Sequence, residues 1–405
     1  MNIKIPRSEA GEIKDSWVML YGRRKIGKTY MLKNFIKWDY YFLIGQAGTI
    51  WCEGAPVKKF NMLDDFIEFL IDSLKAGKSV VVDEFQRLPL ETLERISSEH
   101  PSGQLILSGS SMAIVKKIFG AKSPLLGLLK ELKISLIHHD DIIKKISLNN
   151  MIDYATYLRD PWLIPNMEGS DILHDLYNVL TGVRYTIPAL LGEIFHEEDR
   201  TISEIFEGIL GAIGSGYGKP SEIASILYNR GLINRDAPSN VVPYIKNLID
   251  MDILKQVRVF KKKRTIYKMV SPIFSIYYYM NDKYGLERGL PPFSVVKNNL
   301  IRAHSLSVED FIVCALANSF KGDVRYSYEP EIDGIIVDRR ERPLAVIEVK
   351  WGRMSKKDID SYLDKIEEVG IGGKRIIVSK DSIQSNEIDV IDPKKLRNII
   401  LGGPE

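Results

Sequence analysis

The octapeptide Gly22-Arg23-Arg24-Lys25-Ile26-Gly27-Lys28-Thr29 has the form GxxxxGK[ST]. An apolar run, Trp17–Tyr21, precedes it, and Met31, Leu32, Phe35 and Ile36 follow at helical spacing. Strand, glycine loop and helix in that order can cradle a triphosphate. The glycines let bare backbone N–H groups approach phosphate oxygens, and a helix beginning at Lys28 turns its positive dipole end toward them. Lys28 would reach the β- and γ-phosphates, and the Thr29 hydroxyl would hold Mg²⁺. A second apolar run, Val80-Val81-Val82, ends in Asp83 and Glu84. On a strand beside the loop strand, Asp83 would hold the metal and Glu84 would act as general base on the attacking water. A third run, Leu105–Leu107, ends in Ser108-Gly109-Ser110-Ser111, which makes Ser108 a candidate sensor of the γ-phosphate. The alternative is a Gly-Ser turn in which Ser110 or Ser111 caps a helix over Met112–Phe119.

A second chemical group lies near the C-terminus, where Glu331-Ile332-Asp333-Gly334 is followed by Ile347-Glu348-Val349-Lys350. Strand alternation puts Glu348 and Lys350 on one face with Val349 opposite. Asp333 and Glu348 would then share a divalent metal, and Lys350 would orient water and offset charge on a phosphate. The same residues would equally suit a cross-strand salt-bridge ladder. Between the two groups, Lys261-Lys262-Lys263 forms a basic tip flanked by Arg258 and Arg264, suited to phosphate contacts on duplex DNA or, alternatively, to a solvated turn.

The elements that must position these residues follow from periodicity. Candidate strands Trp17–Tyr21, Tyr40–Ile44, Ser79–Phe85, Gln104–Ser108 and Leu132–Ile137 alternate with helical stretches over residues 1–140, as in an α/β core with a parallel sheet. Residues 141–200 read as a helical lid segment, in which Pro161 and Pro165 prevent one long helix. Its arginines Arg159, Arg184 and Arg200 are equivalent candidates for a contact to nucleotide. Residues 201–285 read as three helices and a hairpin, the pattern of a winged helix, with a third helix poor in base-reading side chains. Tyr277-Tyr278-Tyr279 reads as packing. Residues 286–300, with Pro291-Pro292, read as a linker into a C-terminal α/β domain. That domain has a helix over Val308–Ala317, strands, a Ser355-x-x-Asp358 capping box opening a further helix, and a strand over Lys374–Ser379.

The chain has 405 residues, 45% apolar and 27% charged, with a net charge of +3. So mild an excess requires any basic footprint to be local. Cys52 and Cys314 stand far apart without a partner motif, which excludes a disulfide framework or zinc finger and points to a cytoplasmic setting. Neither a signal core nor a membrane span is expected.

Taken together, Gly22–Thr29, Val80–Arg87 and LILSGSS resemble the archaeal ATPase family of the AAA+/STAND phosphate-loop NTPases, over nearly the whole chain. The resemblance implies an ATPase core using ATP and Mg²⁺, a small helical segment, a winged helix and a C-terminal domain related to PD-(D/E)xK nucleases. Glu309, on the Val308–Ala317 helix, then matches an acidic helix residue of that nuclease group and joins Asp333 and Glu348 as a metal ligand. Two features depart from the family. Its members carry an N-terminal Arg-Glu-rich segment that frames the adenine, whereas here residues 1–16 alone precede the first strand. Where the family tends to show SPLYGR, this chain reads Ser123-Pro124-Leu125-Leu126-Gly127-Leu128, with Leu128 in place of the arginine and Lys130 nearby as a substitute cation. The reading is an ATP-hydrolysing protein acting on DNA, in which an oligomer is allowed and the C-terminal domain is an endonuclease. The alternative is a slow-turnover signalling or scaffold switch with an inactive nuclease-like domain. A small-molecule kinase has no acceptor motif to support it.

Overall fold

The computed structural model describes all residues except 1–2, 15, 55, 57–58, 100, 111–114, 117, 121–126, 147–149, 183, 199–201, 353, 381–384, 386 and 404–405. Strands β1 (Val18–Tyr21), β2 (Tyr40–Ile44), β3 (Ile50–Glu53), β4 (Lys59–Phe60), β5 (Ser79–Asp83), β6 (Gln104–Gly109) and β7 (Lys130–Lys133) form one sheet in the order β4-β3-β2-β5-β6-β1-β7. From β2 to β7 the neighbours are parallel, and β3 and β4 extend the edge antiparallel. The parallel strands are near-continuous apolar runs because both faces are covered. Helix α1 (Lys28–Phe35) buries Met31 and Leu32 against Val18, Leu20, Val81 and Ile106, while α2 (Leu63–Lys75) buries Phe66, Leu70 and Leu74 against Phe42, Val80 and Leu105. A third helix, α3 (Leu90–Ser98), joins the second face.

Three expectations are corrected here. The strand carrying Asp83 is not beside the loop strand, because β6 lies between them. The last strand is Lys130–Lys133 rather than Leu132–Ile137. The edge strands β3 and β4 were not anticipated: β3 alternates buried and exposed, leaving Trp51 and Glu53 in solvent, and four residues give little periodicity to read.

Helices α4 (His139–Lys145), α5 (Met151–Leu158), α6 (Ile172–Gly182) and α7 (Thr186–Glu197) build the segment expected to be helical, with Pro161–Asn166 as a 3₁₀ turn. Then come α8 (Glu204–Gly214), α9 (Pro220–Asn229), α10 (Val242–Asp250), the hairpin β8 (Leu254–Val259) and β9 (Thr265–Met269), and α11 (Pro272–Tyr284). Tyr277, Tyr278 and Tyr279 are buried, consistent with packing.

The stretch expected to be a linker is largely helical. Pro291-Pro292 ends at α12 (Phe293–Ser319), whose 27 residues run through the core. Proline at the N-terminal edge of a helix costs no hydrogen bond, so the pair starts the helix rather than marking a loose tether. Strands β10 (Asp323–Tyr328), β11 (Glu331–Val337), β12 (Pro343–Lys350), β13 (Lys374–Ser379) and β14 (Asp389–Ile391), with α13 (Lys356–Val369) and α14 (Pro393–Ile400), complete the chain. The second sheet runs β14-β13-β12-β11-β10-β8-β9 and therefore includes the hairpin. β8 pairs β10 in parallel through Arg258–Arg325 and Val259–Tyr326. Helix α12 covers the face bearing Ile336, Ala345, Ile347 and Val349; α13 covers the opposite face, bearing Ile335, Val346 and Ile377. One apolar cluster runs from Ile137 through the helical segment into the C-terminal sheet.

Candidate functional site

The glycine loop turns from β1 into α1 as the octapeptide predicts. A Cβ on Gly22 would lie 2.2 Å from the carbonyl oxygen of Ile134, so only glycine lets β1 pass β7 here. Lys25 and Gly27 hold positive φ angles of 63° and 91°, a left-handed geometry that turns successive N–H groups into one concavity. Lys28, 6% exposed, donates to the carbonyls of Gly22 (2.6 Å) and Arg23 (3.1 Å), which fixes its ammonium inside the loop. Thr29 Oγ1 donates to Asp83 Oδ2 at 2.6 Å, so the two expected metal ligands meet although their strands are not adjacent. Tyr41 also donates to Asp83 Oδ2; burial first, then the Asp83 charge, pushes its phenol up. Ser108 is fully buried opposite Asp83 in the β5–β6 register, and its hydroxyl has no hydrogen-bond partner.

Glu84 closes β5 with φ 59°, an unusual backbone for a glutamate that aims its carboxylate toward the loop. It accepts from Gln86 at 2.9 Å and pairs with Arg87 at 3.2 Å and Arg24 at 3.9 Å. Ser110 accepts from the same Gln86, whereas Ser111 and much of the Met112–Phe119 stretch lie outside the described residues. Arg24, Lys25, Ile26, Gly27, Lys28, Thr29 and Glu84 line one cleft of about 810 Å³, a size suited to a small-molecule ligand. Its far end is apolar, walled by Ile3, Ile5, Ile137, Trp162 and Ile164. Trp162 carries a buried indole N–H without a partner.

Two parts of this site escaped the sequence reading. The N-terminal segment frames the cleft: Arg7, 5% exposed, donates to the carbonyls of Ile26 (2.8 Å) and Ser135 (2.9 Å) and pairs with Glu9 at 2.6 Å. Burial alone would raise the Glu9 carboxyl, yet hydrogen bonds from His138 and Arg7 outweigh it and hold Glu9 at about 2. The Glu9 bond in turn raises His138. Arg7-x-Glu9 ahead of the first strand was the available signal.

Arg23 is the second part. Its side chain turns away from the cleft to Asp160 at 2.6 Å, with side-chain exposures of 1% and 0%. Ser271 donates to the same Asp160 oxygen at 2.7 Å, and the Arg23 guanidinium stands 5.3 Å from the Phe274 ring. Nothing within the octapeptide distinguishes Arg23 from Arg24; the partner lies 137 residues away.

The remaining cation candidates sit elsewhere. Arg159 donates to the Ile137 carbonyl at 2.6 Å beside Phe311, and burial lowers it to about 10. Arg184 stacks on Tyr185, while Arg200 lies outside the described residues. Lys130 pairs with Glu12 at 3.3 Å rather than reaching the cleft. Leu128 is exposed, and Ser123–Leu126 lie outside the described residues.

In the C-terminal sheet Asp333 and Glu348 stand opposite each other, one step beyond the Gly334–Ile347 pair. Asp333 Oδ2 accepts from the Val349 N–H at 2.7 Å. Glu348, 3% exposed, binds Lys350 at 3.0 Å and Lys365 of α13 at 2.8 Å through one oxygen, while the other has no partner. Burial and then Glu348 raise Asp333 to about 6. Burial opposes the charge on Lys350, but its bond to Glu348 wins and raises it.

Glu309 of α12 is raised to about 8 by burial and then by the Asp333 charge. Among the described residues no three His, Cys, Asp or Glu side chains are grouped to hold a metal ion. Val313 of α12 lies against Gly334, and Glu348 accepts from Lys365 of α13.

The basic hairpin is tied to the same sheet. Lys262 lies 3.6 Å from Glu329 and stacks on Tyr328, while Arg258 lies 3.8 Å from Glu341. Lys261, Lys262, Lys263 and Arg264 line a concavity of about 420 Å³ with Arg258. No described helix is long and apolar enough to cross a membrane.

Residues 14–134 match the family model of an AAA domain. No curated protein matches the chain. Similar solved structures include an Aeropyrum pernix ORC1 protein in complex with DNA, 15% identical, covering 71% of this chain and 95% of that one at a TM-score of 0.28. The ADP form of the Aeropyrum pernix ORC2 protein is 13% identical and covers 73% and 89% at 0.29. Cdc6p from Pyrobaculum aerophilum is 13% identical and covers 68% and 88% at 0.24. The chain therefore carries a segment similar to the AAA domain, and the loop, Asp83, Glu84 and Ser108 all lie inside it.

Proposed function

We propose that the chain binds ATP with Mg²⁺ in the Gly22–Thr29 cleft, hydrolyses it, and acts on DNA through its later elements. The observation that carries the reading is the 2.6 Å bond between Thr29 and Asp83 beneath a loop whose N–H groups converge. A hydroxyl and a carboxylate already in contact fit a hard divalent ion, which would neutralise charge on the phosphates. Lys28 would exchange its two loop carbonyls for phosphate oxygens. Glu84, held by Arg87 and Gln86, would orient and deprotonate the attacking water. The unpaired Ser108 hydroxyl would bond to the γ-phosphate or that water. The base would lie at the apolar end, where the Trp162 N–H lacks a partner.

Helices α8, α9 and α10 with the hairpin support a winged-helix reading of residues 201–285, following a 1–140 core and a 141–200 lid. The C-terminal region, 286–405, is read as nuclease-like. Asp333 and Glu348 would hold its metal, and Lys350 would orient water. The alternative, a slow-turnover switch, is favoured by one observation: Lys130, the substitute for the missing arginine, is engaged by Glu12.

Phosphate release measured for the wild type and Lys28→Ala, each with and without duplex DNA, tests the first part. Release that depends on Lys28 and responds to DNA is expected; equal rates in all four samples would remove the ATPase. Plasmid nicking with Mg²⁺ or Mn²⁺ that survives Asp333→Ala would remove the C-terminal site.

A further inference from the structure

The hairpin and the C-terminal acids belong to one sheet, and the concavities beside them adjoin. The tip lysines line the first; Lys268, Tyr326 and Asp333 line the second, of about 470 Å³; Arg258 and Arg325 belong to both. Together the two are lined by eight Lys or Arg and four Asp or Glu side chains, a formal excess of four positive charges. The whole chain carries only +3, so its entire positive excess is concentrated here. Between Arg258 on β8 and Asp333 on β11 lies a single strand, β10. Two strand spacings are about 10 Å, the axial span of about three nucleotides at ~3.4 Å each. A phosphodiester backbone gripped at the tip therefore reaches Asp333 without leaving the surface.

Resting on the DNA reading above, we propose that the hairpin and the acid-bearing strands form one polynucleotide track. Phosphates enter at Lys261–Lys263, pass Arg258 and Arg325, and reach Asp333. The hairpin then positions a strand for the C-terminal residues, rather than acting as a separate wing. Its β8–β10 pairing fixes that register, because seven-stranded sheet geometry leaves no hinge between them.

Lysine acylation read by mass spectrometry tests this on the full chain in EDTA, with a 20-mer oligonucleotide offered as a duplex and as a single strand. Joint protection of Lys261–Lys263 and Lys268 is expected, and whichever form protects identifies the ligand. Binding titrations across salt give a second readout. Replacing the three tip lysines by alanine should lower the salt slope by about 0.9 per lost contact for duplex or about 0.7 for single strand. Asp333→Asn should tighten binding about threefold by removing a repelling charge, and that gain should vanish in the tip-lysine variant. Protection of the tip with Lys268 still reactive, or an Asp333→Asn effect unchanged by loss of the tip, would overturn the continuous track while leaving DNA binding intact. Absence of any binding would overturn both.

Discussion

Arg23→Ala should cost about 3–5 kcal/mol, because it strands a buried carboxylate. Asp160 is fully buried, and one of its oxygens has no partner even in the intact protein. Without Arg23 the Ser271 hydroxyl at 2.7 Å is the remaining side chain bonded to it, and one neutral donor cannot compensate a desolvated charge. The assay is urea unfolding of Arg23→Ala, Asp160→Ala, the double alanine variant and an apolar swap, Arg23→Met with Asp160→Leu. Removing both charges removes the stranded group, so the double variant should cost at least about 2 kcal/mol less than the sum of the singles. The swap should also retain nucleotide affinity, since the Arg23 side chain turns away from the cleft. Singles that cost under about 1 kcal/mol, or costs that add within about 0.5 kcal/mol, would refute the ion-pair argument. A swap that loses nucleotide as Lys28→Ala does would refute the orientation.

Thr29→Ala should weaken nucleotide binding about tenfold or more with Mg²⁺ present and much less in EDTA, the difference between a lost metal ligand and a lost surface contact; calorimetric titration in both buffers checks it. Glu309→Gln should gain stability over the wild type as pH rises from 4.5 through about 8. A carboxyl raised on folding stabilises below its unfolded value and loses that contribution as pH climbs through the folded one; thermal melts in EDTA across that window read it. Glu9→Gln should show the opposite acid limb, because a lowered carboxyl contributes above 4.5 and loses that contribution as pH falls toward about 2. Its penalty should also shrink above the ordinary histidine value of 6.5, once the raised His138 gives up its proton; melts from pH 2 to pH 9 would show both limbs.

What was legible follows from range along the chain. Val80–Asp83 declares itself because a buried parallel strand must be apolar throughout, and Gly22–Thr29 because phosphate geometry dictates residue types at fixed offsets. The Ser355–Asp358 capping box spans four residues and forms as read, with the Ser355 N–H donating to Asp358 Oδ2 at 2.8 Å. Contacts across long separations leave no such trace. β6 entering between β1 and β5, Asp160 claiming Arg23, and Lys365 joining Glu348 all depend on how distant segments pack. The hairpin shows the same limit: its alternation predicts two strands, but nothing in it says that β8 will pair with a strand starting at Asp323.

Helix α5 gives these long-range contacts a common element. Two residues beyond its C-terminal end, Asp160 holds the glycine loop through Arg23. Near its start Asp153, 1% exposed, accepts from His304 at 2.8 Å, from the indole of Trp351 at 2.8 Å and from Lys380 at 3.2 Å. Trp351 directly follows Lys350, so the helix meets the loop at one end and the strand bearing Glu348 and Lys350 at the other. From Asp153 to the last helical residue, Leu158, the rise is about 7.5 Å at ~1.5 Å per residue, and Asp160 follows two residues later. Both ends are anchored by buried charges, for which slipping a partner costs several kcal/mol, whereas an apolar contact could slide for less. One short helix and the residue pair that follows it therefore tie the glycine loop and the strand bearing Glu348 and Lys350 together through buried charges.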